Sequence, residues 1–197
     1  MIGEDDRYEI RFSGSGGQGV ITAAIVLAEA AGVYDGKYVC QAQNYGPEVR
    51  GGVSNAEVVI SNKVIDYPKA MKPSLLLAMD QASCDAYFSD LKSDGLLVVD
   101  STLVGQIPTN RAVAIPFTQI AREKFGKEVV ANMVALGAVG DLCKVVSLKS
   151  LETALLAKFP KGIKKINRQA LRAGINEAQK VDLEKLPRTI IPEEEEV

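Results

Sequence analysis

The stretch GSGGQG, residues 14–19, constrains this chain more than any other. Its glycines at 14, 16 and 19 fall in the spacing G-x-G-x-x-G, with one more at 17, between YEIRFS and VITAAIVLAEAAG. Glycine tolerates left-handed backbone and close approach, and it weakens any helix or strand that runs through it. YEIRFS reads as a strand, and residues 20–31 read as a small-residue helix suited to close packing on a sheet. A strand, a tight glycine turn and a helix, in that order, commit the chain to a layered α/β architecture.

The remaining pattern extends that architecture. KYVCQAQ (37–43) is a strand candidate and leads into the polar, glycine-rich loop NYGPEVRGG. SNAEVVIS (54–61) alternates as a strand, with NKVIDYP as a hairpin return. SLLLAM (74–79) and GLLVVD (95–100) are short apolar runs of the kind covered on both faces, flanking a helix over 81–91, and RAVAIP (111–116) closes the set of strands. The second half turns helical. Residues 126–144 are apolar nearly all round and predict a buried helix in which Gly137 and Gly140 permit close approach. Leu148, Leu151, Leu155 and Phe159 predict an amphipathic helix capped by Ser147, and Ile163, Ile166, Ala170 and Ala173 predict another that begins near Lys161. The expectation is one α/β domain of three layers, α/β/α, with a mixed sheet and a helical C-terminal part, over residues 1–182. Residues 183–197 form an extended acidic tail that ends in a solvated run, Glu193 to Glu196.

The glycine spacing alone does not make a dinucleotide site. That reading demands an acidic residue about 20 positions on, at the end of the second strand. The strand over 37–43 ends in Gln41 to Asn44, and Asp35 lies in the turn before it. A phosphate loop fails as well, since no Gly-Lys-Ser/Thr follows. Two readings stay open. The N–H groups at Gly14, Gly16, Gly17 and Gly19 face an anion at a helix N-terminus, or the glycines serve only a tight turn. The loop over 44–52 adds Arg50, free to meet a phosphate or a carboxylate.

Composition narrows the chemistry. The chain has no histidine, and its three cysteines, Cys40, Cys84 and Cys143, are far apart, so they read as inert thiols. A metal centre built by this chain alone is not expected, and no catalytic residue is assigned. A net charge of -2 argues against general nucleic-acid binding. No apolar run approaches the roughly 18 residues of a membrane span, no signal peptide is read at the start, and the expected compartment is the cytoplasm.

GSGGQGVITAAIVLAEAA, then QNYGPEVRGGVSNAEVVIS, then a strand that ends at an Asp, then NMVALGAVG, together resemble the gamma subunit of 2-oxoacid:ferredoxin oxidoreductases. The resemblance runs from about Tyr8 to Gln179, and VIDYPKAMKPSLLLAMDQASCDAY (64–87) with the long helical end resembles the 2-oxoglutarate type. It implies a complex that converts 2-oxoglutarate to succinyl-CoA and reduces ferredoxin. Such a complex uses thiamine diphosphate, Mg²⁺ and iron–sulfur clusters, with coenzyme A as substrate. None of these cofactors is expected to be held by this chain alone. The implied partners are alpha and beta subunits, with or without a ferredoxin-like delta subunit, and ferredoxin through the complex. Gamma chains acting on pyruvate, branched-chain 2-oxoacids or indolepyruvate, and a stand-alone nucleotide-binding α/β module, are the alternatives. Within the resemblance, the two glycine-rich stretches form one surface at the carboxyl ends of the strands. Gly14, Gly16, Gly17 and Gly19 meet an anionic group there, with Arg50 as charge partner. Gln18 and Asn44 supply amide hydrogen bonds, Tyr45 packs on a ring or a neighbouring chain, and Gly51 and Gly52 shape the second loop. The basic stripe Lys161, Lys164, Lys165, Arg168 and Arg172 reads as a solvated helix face rather than a ferredoxin dock.

Overall fold

Every second residue of the first strand is apolar, and that alternation decides the layering. The structure, a computed structural model, describes residues 7–44 and 53–190. Strand β1 (Arg7–Ser15) sends Ile10 and Phe12 into the main core, both fully buried, and sends Arg7, Glu9, Arg11 and Ser13 to the opposite face. Six strands follow the order β2-β3-β1-β4-β5-β6, with β2 (Tyr38–Asn44), β3 (Val53–Ser61), β4 (Leu75–Ala78), β5 (Leu96–Asp100) and β6 (Ala112–Ile115). β1, β4, β5 and β6 are parallel, and β3 runs antiparallel to both β1 and β2. The ends of β1, β2 and β4 and the start of β3 therefore share one edge of the sheet.

The two faces are unequal. On one, α1 (Val20–Glu29), α3 (Phe117–Phe125) and α4 (Ala131–Cys143) pack on the sheet, and α5 (Leu148–Lys158) and α6 (Lys161–Ala178) join the same core from outside. α4 is buried at every residue because it lies between the sheet and α6. Its contact with α6 depends on having no side chain at the crossing: a Cβ on Gly137 would lie 2.0 Å from the Leu171 carbonyl oxygen, and one on Gly174 would lie 1.8 Å from that of Val134. The other face carries the short α2 (Gln81–Tyr87) and a small cluster of Leu76, Ala78, Cys84, Leu91, Leu97, Val99, Val104 and Ile190. Beneath α2 the Arg11 side chain of β1 is held by two carboxylates and a ring, though its buried Nε has no hydrogen-bond partner among the described residues. Arg11 pairs with Glu57 at 2.9 Å and with Asp90, and its guanidinium lies 5.0 Å from the centre of the Tyr87 ring.

Three expectations change. The hairpin return at NKVIDYP is not a strand: β3 already has β2 on one side and β1 on the other, so it has no free edge to offer. The helix expected over 126–144 begins at Ala131. It is preceded by α3, by Gly126 in left-handed conformation (φ 64°) and by a single 3₁₀ turn at Glu128–Val130. The helix over 81–91 is regular only to Tyr87. The small-residue helix over 20–31, the Ser147 cap of α5 (its hydroxyl accepts from Ser150 N–H) and the start of α6 at Lys161 are as expected. Part of the basic stripe is neutralised, because Arg168 and Arg172 both pair with Glu152 of α5, at 2.7 and 2.8 Å. Ile190 lies in the small cluster and donates its N–H to the Ser93 carbonyl at 2.7 Å.

Candidate functional site

The glycine turn leaves β1 at the shared sheet edge and is fastened there by side chains from three directions. The Ser15 N–H donates to Asp80 Oδ2 and to Gln18 Oε1, both at 2.7 Å, and the Ser15 hydroxyl also donates to Asp80. Asp80 follows β4 and caps α2, accepting from the Ser83 N–H at 2.8 Å and the Ser83 hydroxyl at 2.7 Å. Burial raises the Asp80 carboxyl, but the bonds from Ser15 and Ser83 outweigh it and hold the group below its ordinary value. From the other side, Asn132 of α4 donates its Nδ2 to the Gly19 carbonyl at 3.2 Å.

Within the turn the Gln18 N–H donates to the Ser15 carbonyl at 3.1 Å. Gly17 and Gly19 have φ of 99° and 74°, the left-handed region that glycine enters without strain. Gly16 and Gly17 are exposed, and among the described residues their N–H groups donate to no partner. α1 begins at Gly19 with no side-chain cap and no acidic residue in its first turn, and α4 begins at Val130 in the same condition. The N-terminus of α1 thus carries the partial positive charge of its unsatisfied N–H groups at the turn, whereas α4 continues a 3₁₀ turn in which the Lys127 and Glu128 carbonyls accept from the Val130 and Ala131 N–H groups. The nearby α3 shows the alternative: Asp100 is fully buried and accepts from the Thr118 N–H at 3.0 Å and the Thr118 hydroxyl at 2.5 Å, so that N-terminus already holds a carboxylate.

A cleft of about 240 Å³ lies between the turn and the start of α4, lined by Gly17, Gln18, Met79, Thr118, Glu128, Val129 and Ala131. That volume is below the ~300–1,000 Å³ typical of pockets that enclose a whole drug-sized ligand. It suits one group of a larger molecule, with an anion at the N–H groups and an apolar portion against Met79 and Val129. Gly14 serves packing instead, since a Cβ there would lie 2.5 Å from Gln18 Oε1 and 3.1 Å from Met79 Cβ. The Gln18 amide is engaged in the turn, accepting from Ser15 and donating to the Met79 carbonyl at 3.4 Å.

Asn44 is the last residue of β2, opposite Asn55, and Val53 opens β3 opposite Ser15. The second loop therefore leaves and rejoins the sheet at the edge that carries the glycine turn. Tyr45, Arg50, Gly51 and Gly52 lie outside the described residues. Asp35 is bound within the fold, where it accepts from Ser147 N–H at 2.7 Å and from the Ser147 and Ser150 hydroxyls at the start of α5. Burial pushes the Cys84 and Cys143 thiols up to about 11, which suppresses the nucleophilic thiolate. Among the described residues no group of three or more His, Cys, Asp and Glu side chains is placed to hold a metal, and no helix is long and apolar enough to cross a membrane.

Asp80 and Asn132 escaped the sequence reading as parts of the site. The capping pattern D-x-x-S over residues 80–83 was legible, but the tie from Asp80 to Ser15 spans 65 positions and the tie from Asn132 to Gly19 spans 113.

Residues 9–177 match the family described as pyruvate ferredoxin/flavodoxin oxidoreductase. The chain is 44% identical over 179 residues to the 2-oxoglutarate synthase subunit KorC of Methanocaldococcus jannaschii, a match that covers 89% of this chain and 96% of that one. It is 35% identical over 180 residues to the pyruvate synthase subunit PorC of Methanothermobacter thermautotrophicus, covering 88% and 97%. In structure it is similar to the keto/oxoacid ferredoxin oxidoreductase gamma subunit of Geobacter sulfurreducens, with a TM-score of 0.80 and 44% identity over 88% of this chain and 99% of that one. The chain belongs to the pyruvate ferredoxin/flavodoxin oxidoreductase family.

Proposed function

We propose that this chain is the gamma subunit of a 2-oxoglutarate:ferredoxin oxidoreductase. The assembly oxidatively decarboxylates 2-oxoglutarate, transfers the succinyl group to coenzyme A and passes the electrons to ferredoxin. One observation carries the choice of oxoacid: identity to the 2-oxoglutarate synthase subunit is 44%, against 35% to the pyruvate synthase subunit, at nearly equal coverage. Thiamine diphosphate with Mg²⁺ supplies carbanion stabilisation, and iron–sulfur clusters carry the electrons. These groups are assigned to alpha, beta and delta partner chains, in keeping with the buried, high-pKa Cys84 and Cys143.

This chain contributes the surface that receives coenzyme A and meets the partners. Gly16, Gly17 and Gly19 present N–H groups to an anionic group of coenzyme A at the N-terminus of α1, where a phosphate gains both hydrogen bonds and the helix field. Arg50 is the charge partner, with Asn44, Tyr45, Gly51 and Gly52 beside it. Gly14 and Gln18 hold the turn in shape from within. The uncapped start of α1 supports this reading, as does the size of the cleft, which fits part of an extended cofactor-like substrate.

Affinity purification of the tagged chain from its own cells, without oxygen, tests the assignment. The expected result is co-purification of thiamine-binding and ferredoxin-like chains, with ferredoxin reduction that depends on 2-oxoglutarate and coenzyme A. Turnover with pyruvate in preference to 2-oxoglutarate would reassign the substrate, and repeated recovery of the chain alone would remove the subunit assignment. In the same complex, Arg50→Ala is expected to raise the KM for coenzyme A about tenfold without dissociating the subunits, the loss of one charge-assisted bond. An unchanged KM would leave Arg50 outside the coenzyme A site.

A further inference from the structure

We infer that Asn132 is a positioning residue for the glycine turn, aiming the first N–H of α1 at the bound anion. The inference rests on the reading that this turn receives coenzyme A. Asn132 lies in the first turn of α4 and is only 9% exposed. Its Nδ2 donates to the Gly19 carbonyl, which also accepts the first helical bond of α1 from Ala23 N–H at 3.1 Å. The carbonyl of Gly19 and the N–H of Val20 belong to one planar trans peptide and point in opposite directions. Fixing the oxygen therefore fixes the direction of the Val20 N–H, outward from the helix N-terminus. The fit is close, since a Cβ on Gly19 would lie 2.2 Å from Asn132 Nδ2.

The choice of a neutral amide follows from the same geometry. An aspartate in the first turn of α4 is favourable for that helix. At this position, however, it offers no donor to the Gly19 carbonyl and sets a negative charge beside the N-terminus of α1 that would receive the anion. Asn132→Asp is thus a variant that spares α4 and disturbs the turn. Asn132→Ala removes the donor without adding a charge.

The test uses the oxidoreductase complex purified through the tagged chain, with coenzyme A varied at saturating 2-oxoglutarate. Asn132→Asp is expected to raise the KM for coenzyme A about tenfold, and Asn132→Ala about threefold, with kcat within about twofold and the melting temperature nearly unchanged. Gly17→Ala, which puts a methyl on a residue that needs a φ of 99° and faces open space, is the control on the underlying reading and is expected to raise the same KM. If Gly17→Ala raises KM and neither Asn132 variant does, the positioning inference falls and the coenzyme A reading stands. A rise in Asn132→Asp alone, without one in Asn132→Ala, assigns the effect to charge and also overturns positioning. If none of the three moves KM, the turn does not receive coenzyme A and both fall. Should Asn132→Asp fail to assemble, the alanine variant decides on the same criteria.

Discussion

Asp80 ties together what sequence reading treats as separate: the glycine turn, the end of β4 and the cap of α2. Asp80→Asn separates these ties. Asparagine remains a good N-cap acceptor for Ser83, but its amide nitrogen faces the Ser15 N–H, which loses its carboxylate partner and keeps only Gln18 Oε1. Unfolding free energy is expected to fall by about 1–2 kcal/mol at neutral pH, measured by denaturant titration. The sign of the pH dependence follows from the lowered carboxyl pKa. The stabilisation is complete above the unfolded value of 3.8 and is lost as pH falls through the lower folded value, so Asp80→Asn should converge with the wild type in acid. A constant gap between the two down to the acid transition would mean that the charge of Asp80 contributes nothing. At this scale the sequence spoke clearly about Gly17 and Gly19, whose left-handed φ only glycine adopts freely. It was silent on Asp80 and Asn132 because a hydrogen bond between distant residues leaves no local pattern.

Elements were legible where their signals were local. The Ser147 cap and the spacing of apolar residues in α5 and α6 lie within a few positions of the helices they define. α3 was missed because its N-terminus is held by Asp100, 18 positions earlier, while its own first residue follows Pro116 without a side-chain cap. The false hairpin has a different origin. Alternation identifies a strand but says nothing about which of its edges remains free. The crossing of α4 and α6 gives a paired prediction. Gly174→Ala must push its methyl against the Val134 carbonyl, so the gain in helix propensity, about 1 kcal/mol, is expected to be outweighed by a packing loss of about 1–3 kcal/mol. Gly162→Ala, in the first turn of the same helix with nothing within 4 Å of its Cβ, is expected to stabilise by a few tenths of a kcal/mol. Chemical denaturation midpoints that move in opposite directions would bear this out. A shift of both in the same direction would show that the crossing is looser than its backbone contacts imply.

At the scale of the molecule, the glycine turn sits on the seam between two unequal halves. Gly19 is fastened to α4 and through it to the large core, whereas Ser15 is fastened to Asp80 and through it to the thin side built from α2, β5 and the segment that carries Ile190. Such an arrangement predicts two levels of opening, since regions with few buried apolar neighbours unfold locally before the whole. α4, buried at every residue, should exchange its amide hydrogens only at the global unfolding free energy, and α2 well below it. Ile190 is the residue through which to test this. It closes the small cluster, donates its N–H to Ser93 and accepts from the Thr109 hydroxyl at 2.8 Å. Ile190→Ala is expected to cost about 2 kcal/mol and to speed exchange in α2 and at Ser15 while leaving α4 and the first turn of α1 at their own rates. Parallel acceleration of α4 would show that the halves open as one. The separated outcome would mean that one end of the turn loosens while Asn132 keeps the other in place, so that a ligand held at the N-terminus of α1 has its binding geometry set by the thick side of the fold.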